Sequence, residues 1–218
     1  MSLIEKKYRR LVKKLLFVNS EYEYVVETLK DAHIEFNNYY NDYCAKNKVP
    51  VQDLEEKNKT KLEKVYPKAE QQTNEEGLVK MKNQEADAKP IDKDLQKMYR
   101  KAAVKVHPDK FSNMEETPEI KSKIEMFKSL AASYDERKWG DFLDICEKLD
   151  ILPSRYSKIM EIIKKEIELL NKKISQHKNQ FSWRFFECEE DNICKDNVMK
   201  DFLFQLFNYK VQESIIRI

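Results

Sequence analysis

Apolar residues at Ile4, Tyr8, Leu11, Leu15, Val18, Tyr22, Val25, Leu29, Ala32, Phe36, Tyr39 and Tyr43 follow one another at alternating spacings of four and three without a miss. This is a heptad seam, and it commits residues 1–48 to one long helix whose stripe must lie against another helix and not in water. Val12, Leu16, Val26, Ile34 and Tyr40 widen the stripe toward that of a bundle helix. A second seam of the same spacing runs through Tyr156, Met160, Ile163, Ile167, Leu170, Ile174, His177 and Phe181, with Lys and Glu between. Two seams in one chain predict that they pair. The pairing is either an intramolecular antiparallel hairpin, with everything between Val49 and Pro153 projecting from one end, or a coiled-coil dimer through one seam.

Composition agrees with helices. Of the 218 residues 41% are hydrophobic and 37% charged, a balance suited to elongated helices. Two glycines and six prolines leave little material for the turns of a sandwich or barrel. The predicted fold class is therefore all-α: a long helical hairpin or coiled coil carrying an inserted helical hairpin. A formal net charge of +2 does not suggest a nucleic-acid partner, so any basic surface must be local. No apolar run approaches the length of a membrane span. The first residues interleave Lys and Arg with apolar side chains and show no small-residue cleavage site, which predicts an intracellular, cytoplasmic chain. Cys44, Cys146, Cys188 and Cys194 contain no CxxC pair, and the three histidines are far apart. Reduced structural thiols, no metal site and no cofactor follow. His33 reads as a helix-surface residue and His177 as a seam-edge one.

The chain divides into a heptad helix at 1–48, a polar connector at 49–90, a helical region at 91–152, and a heptad helix with an aromatic section at 153–218. The connector predicts a short helix around Asp53 to Tyr66, ended by Pro67, and then a loosely held segment containing Gly77. From Ile91 the pattern tightens. Ile91, Leu95, Met98, Ala102 and Val106 share one helix face, while Lys93, Lys97, Arg100, Lys101 and Lys105 occupy the opposite arc. The helix must stop near Val106 or His107, because the residue before Pro108 is pushed out of the helical region. Thr117-Pro118 offers the next N-cap with proline at the first helical position. Ile120, Ile124, Phe127, Leu130, Ala131 and Tyr134 form that helix's buried side. Gly140-Asp141 reads as a helix stop joined to a new N-cap, and Phe142, Leu143, Ile145, Cys146 and Leu149 as a further apolar face. Trp183, Phe185, Phe186, Phe202, Phe204, Leu206, Phe207 and Tyr209 predict one or two helices packed back on the seam helices.

A basic amphipathic helix, a loop opening with His107-Pro108-Asp109 and an apolar partner helix together resemble the J-domain of DnaJ-like co-chaperones. The stretch "DLQKMYRKAAVKVHPDKF" is similar to the second helix and loop of that family, and "FKSLAASYDERKWGDFLDICEKLDI" to the third helix and its continuation in divergent members. The resemblance covers residues 91–152. With proline and aspartate each at about one residue in twenty, a given histidine precedes Pro-Asp by chance well under about one time in a hundred. Position and pattern agree besides. The family's short first helix carries adjacent aromatic residues, whereas "NEEGLVKMKNQEADAKP" has none, so that helix is expected to be degenerate or absent. A Gly/Phe-rich linker and a cysteine-rich zinc module are also missing from this sequence.

The resemblance implies stimulation of ATP hydrolysis by a DnaK-class heat-shock chaperone. Lys97, Arg100, Lys101 and Lys105 would steer the partner's acidic surface, an effect that weakens with salt. Asp109 would engage an arginine of the partner through charge-assisted hydrogen bonds. Pro108 would set the loop geometry and His107 would brace it. None of these residues would do covalent chemistry, and the chain would not be an enzyme. A client or scaffold could meet the helical arms. The competing reading is a coiled-coil structural or assembly protein whose hairpin is inactive. An enzyme using His107 and Asp109 as an acid/base pair is disfavoured, since no nucleophile, metal cluster or glycine-rich phosphate loop lies nearby.

Overall fold

The computed structural model describes residues 1–65, 90–112, 114–115 and 117–211, with the backbone alone for 61–65. Among the described residues there are eight α-helices, one 3-10 turn and no strand, so the protein is all-α. The helices are α1 (Leu3–Lys46), α2 (Val51–Val65), α3 (Lys93–Val106), α4 (Pro118–Asp135), α5 (Trp139–Lys148), α6 (Tyr156–Lys178), α7 (Phe181–Phe186) and α8 (Asn192–Phe207), with the 3-10 turn at Pro108–Lys110. No helix among them is long and apolar enough to cross a membrane. Several expectations lie outside the described residues: the stop at Pro67, the segment around Gly77, the degenerate or absent first helix before Pro90, and residues 212–218.

The described residues form two compact units. One takes 1–24 with 90–174, the other 25–65 with 175–211.

In the first unit the start of α1 buries Tyr8, Val12, Leu15 and Val18, and α6 buries Ile159, Ile163, Ile167, Leu170 and Ile174. Each aliphatic side chain so removed from water contributes about 1.5–3 kcal/mol. Ile159 takes the inward place predicted for Met160, which is half-buried. Tyr8 meets Tyr156 edge-on at 5.5 Å, and the Lys173 ammonium lies over the Tyr22 ring at 5.7 Å. Residue numbers rise together along both helices, so these seams run parallel, not as the predicted antiparallel hairpin. A heptad period says which face of a helix is apolar and is silent on direction.

Nor does α5 project away from the seam. Its Gly140 is buried against Leu15, Leu16 and Asn19 of α1, where a Cβ would come within 2.6 Å of Asn19 Nδ2 and 3.4 Å of Leu15 Cγ. The predicted stop at Gly140-Asp141 is thus corrected. The chain leaves α4 three residues earlier, with Arg137 in the left-handed region at φ 58°. Lys138 N donates to Ser133 O at 2.8 Å and Arg137 N to Tyr134 O at 3.2 Å, the paired bonds of a Schellman stop. That stop is built without glycine. Gly140 serves instead to let two helices approach.

The second unit has its own core of Phe36, Tyr43, Cys44, Val49, Leu54, Phe185, Cys188, Val198, Met199 and Leu203. Phe36 stands edge-on to Phe185 at 5.7 Å and to Phe202 at 5.1 Å, the arrangement that ring quadrupoles favour. Tyr39 Oη donates to Asp196 Oδ1 at 2.7 Å. The four cysteines are not all thiols, which corrects a prediction. Cys188 and Cys194 form a disulfide across the α7–α8 junction, their Cα atoms 5.6 Å apart, while Cys44 and Cys146 are free and buried. The turn ending at the Asp191 N-cap of α8, whose carboxylate accepts from Ile193 N and Cys194 N, brings the two within bridging range.

Candidate functional site

The predicted binding residues all lie on α3 and the turn after it. Helix α3 begins at the N-cap Asp92, whose Oδ1 accepts from Asp94 N at 2.8 Å. The other carboxylate oxygen, Oδ2, pairs with Lys158 Nζ of α6 at 2.6 Å. Partial burial alone would raise the Asp92 carboxyl, but the Lys158 hydrogen bond and charge and the Asp94 N–H outweigh it and hold the group below the usual carboxylate range. Leu95, Met98, Ala102 and Val106 are buried as the periodicity requires, and Lys93, Lys97, Arg100, Lys101 and Lys105 are exposed. This face is held down at several points. Tyr99 stacks on Tyr134 of α4 at 4.3 Å, and Tyr134 packs on Trp139 and Phe142 of α5 at 6.1 and 5.5 Å. Burial pushes the Tyr134 hydroxyl up.

At its far end α3 stops at Val106, and His107 adopts φ −60° and ψ 131°, the extended geometry that a following proline demands. Pro108 then opens a 3-10 turn in which Lys110 N bonds His107 O at 3.1 Å and Phe111 N bonds Pro108 O at 2.9 Å. The His107 ring does two things. Its Nδ1 accepts from Asp109 N at 3.3 Å, and it makes a T-shaped contact with Phe127 of α4 at 5.0 Å between ring centres. Because Nδ1 accepts, the neutral ring carries its proton on Nε2. Ser112 Oγ donates to Asp109 O at 3.0 Å and closes the turn from the other side. The Asp109 carboxylate is left 89% exposed, with Oδ2 lying 3.4 Å from His107 Nδ1.

The site therefore presents one fully solvated carboxylate on a braced turn, next to a helix whose outer arc carries cations. Among the described residues no group of three or more His, Cys, Asp or Glu side chains is placed to hold a metal ion. His107 and Asp109 flank Pro108, the first half-buried and the second exposed.

No protein-family model, curated protein or solved structure matches this chain.

Arg100, Lys101 and Lys105 come together along one groove, and Lys97 lies one turn before them on the same arc. The structure adds residues that pattern reading passed over. Phe127, which the spacing places on the buried side of α4, is half-buried there and packs its ring against His107. Lys123 sits over the Phe111 ring at 5.4 Å, tying α4 to the turn. Lys105 Nζ donates to Leu149 O at the end of α5, so one of the four predicted cations is bound within the chain. Val104 is 61% exposed in the middle of the basic arc. Its signal was available as a valine where helical spacing calls for a polar residue.

Proposed function

We propose that this chain is a non-enzymatic co-chaperone of the J-domain type, which stimulates ATP hydrolysis by a DnaK-class heat-shock chaperone. The observation that carries the reading is the His107-Pro108-Asp109 turn, stiffened by His107 Nδ1 and the Phe127 ring, with the Asp109 carboxylate held out in solvent. A turn already closed by its backbone bonds loses little freedom on binding, and the exposed carboxylate it carries favours a short charge-assisted contact with an arginine. Lys97, Arg100 and Lys101 supply the long-range attraction for an acidic surface. ATP and the residues that cleave it belong to the partner.

The burial of Tyr8, Leu15, Val18, Val25, Leu29 and Phe36 of the α1 seam inside one chain supports this reading over a coiled-coil assembly protein, since those seam residues are already covered. A client or scaffold is proposed to meet the exposed apolar residues Ile193, Phe204 and Leu206 of the second unit. The proposed compartment is the cytoplasm, where the Cys188–Cys194 bond would be open to reduction. The reading is tested by immobilising the chain and passing a DnaK-class chaperone over it with and without ATP. ATP-dependent binding that falls with salt and is lost in Asp109→Asn is expected. Binding of equal strength to Asp109→Asn would count against it.

A further inference from the structure

Helix α5 ends in a second Schellman stop. Asp150 takes the left-handed conformation at φ 54°, Asp150 N donates to Glu147 O at 3.0 Å, and Ile151 N donates to Cys146 O at 2.8 Å. These backbone bonds, together with the Lys105 Nζ bond to Leu149 O, fix the segment after α5 alongside α3. Between them runs a groove of about 530 Å³. Helix α3 lines it with Arg100, Lys101, Val104 and Lys105, and the segment after α5 lines it with Asp150, Ile151 and Leu152.

We propose that this groove docks an acidic protein segment carrying one bulky apolar side chain between its carboxylates. Three cations face a single anion, so the groove selects negative charge. Solvated cations alone would read only charge. Here Val104, exposed on the helix, and the half-buried Leu152 on the connector put an apolar strip in the same groove as those cations, with Ile151 contributing little surface. A strip of this kind is desolvated usefully only by an aliphatic or aromatic side chain. Lys105 keeps two further N–H donors beyond the one given to Leu149 O, so it can hold the connector and a carboxylate at once. The proposal rests on the co-chaperone reading only for which macromolecule bears the segment. The chemistry of the groove stands on its own residues.

The test uses the full chain and two fluorescent probe peptides, Asp-Glu-Glu-Leu-Asp-Glu and its counterpart with the leucine replaced by serine. The leucine probe is expected to bind about fivefold more tightly, the worth of partly burying one aliphatic side chain. It should shift the backbone amide resonances of Val104, Ile151 and Leu152. Val104→Ser and Leu152→Ser should each bring its affinity toward that of the serine probe, with thermal melts confirming that both variants fold. Equal affinity for the two probes, displacement of the leucine probe by inorganic phosphate alone, shifts confined to other residues, or no binding would each overturn the proposal. In a chaperone ATPase titration, Leu152→Ser should raise the concentration giving half-maximal stimulation. Absence of stimulation by the wild type would defeat the co-chaperone reading and leave the peptide result to decide the groove.

Discussion

The backbone N–H of Asp109 donates to Nδ1 of His107 at 3.3 Å, so the two residues that flank Pro108 form one rigid turn. Its rigidity depends on a third residue, Phe127, whose ring makes a T-shaped contact with the imidazole. Phe127→Ala is therefore expected to lower stability by about 0.5–1.5 kcal/mol from the lost ring pair alone, with lost burial adding to it. The turn should loosen as well. Hydrogen exchange at the Asp109 amide is the measurement, and it should accelerate more than global unfolding explains; unchanged protection there would show that the ring does not brace the turn.

Gly140 lies against Asn19, and the atom an added methyl would meet is the movable end of that side chain. Gly140→Ala should thus change stability by less than about 1 kcal/mol, the gain in helix propensity offsetting a small shift of Asn19. Gly140→Leu must push into Leu15 and Leu16 and should destabilise by about 1–3 kcal/mol or more. Urea denaturation of both variants separates the two outcomes. A large loss in the alanine variant would mean that Asn19 cannot move.

Asp92 caps α3 and pairs with Lys158, and its folded-state carboxyl is held low. A depressed carboxyl contributes stability that is complete above its unfolded value, about 3.9, and is lost as pH falls through the folded value. Asp92→Asn should therefore be less stable than the wild type at neutral pH, with the gap closing as pH falls below the ordinary carboxylate range. Asp92→Ala, which also loses the cap, should cost about 0.5–2 kcal/mol more. Melting curves from neutral to acid pH check both. A gap that stays constant with pH would remove the charge from the account.

Reduction of Cys188–Cys194 opens a loop whose ends are six residues apart. On loop-closure entropy the bond is worth about 2 kcal/mol. Chemical denaturation with and without a reductant, beside the Cys188→Ser/Cys194→Ser double variant, should show that loss in the wild type and none in the variant. Equal stability with and without reductant would show the bond to be dispensable.

The parts of this fold legible in the sequence were those with local causes. Leu95, Met98, Ala102 and Val106 marked the inner face of α3 by spacing, Pro108 marked its end, and Thr117-Pro118 marked the start of α4 through a cap in which Thr117 Oγ1 accepts from Ile120 N. The Tyr8-to-Tyr43 stripe is buried nearly as its period required. What escaped has long-range causes. Tyr8 against Tyr156 and Tyr22 against Lys173 reveal a parallel pairing that a period cannot encode. Arg137 and Asp150 end helices in a conformation usually left to glycine, while Gly140 is used for packing, so reading glycine as punctuation placed the stop late. The turn of the site was readable; its Phe127 brace and the wall of Ile151 and Leu152 were not, because they come from elements distant in sequence.

The central claim, that His107-Pro108-Asp109 is a working surface for a chaperone, is tested most directly by single-turnover ATP hydrolysis by a purified DnaK-class chaperone. The wild-type chain should accelerate turnover, in a way that weakens as salt is raised. His107→Gln, folded to the same extent by circular dichroism, should abolish the acceleration. Equal acceleration by both proteins, or none by either with several chaperones, would contradict the account and leave the turn as architecture.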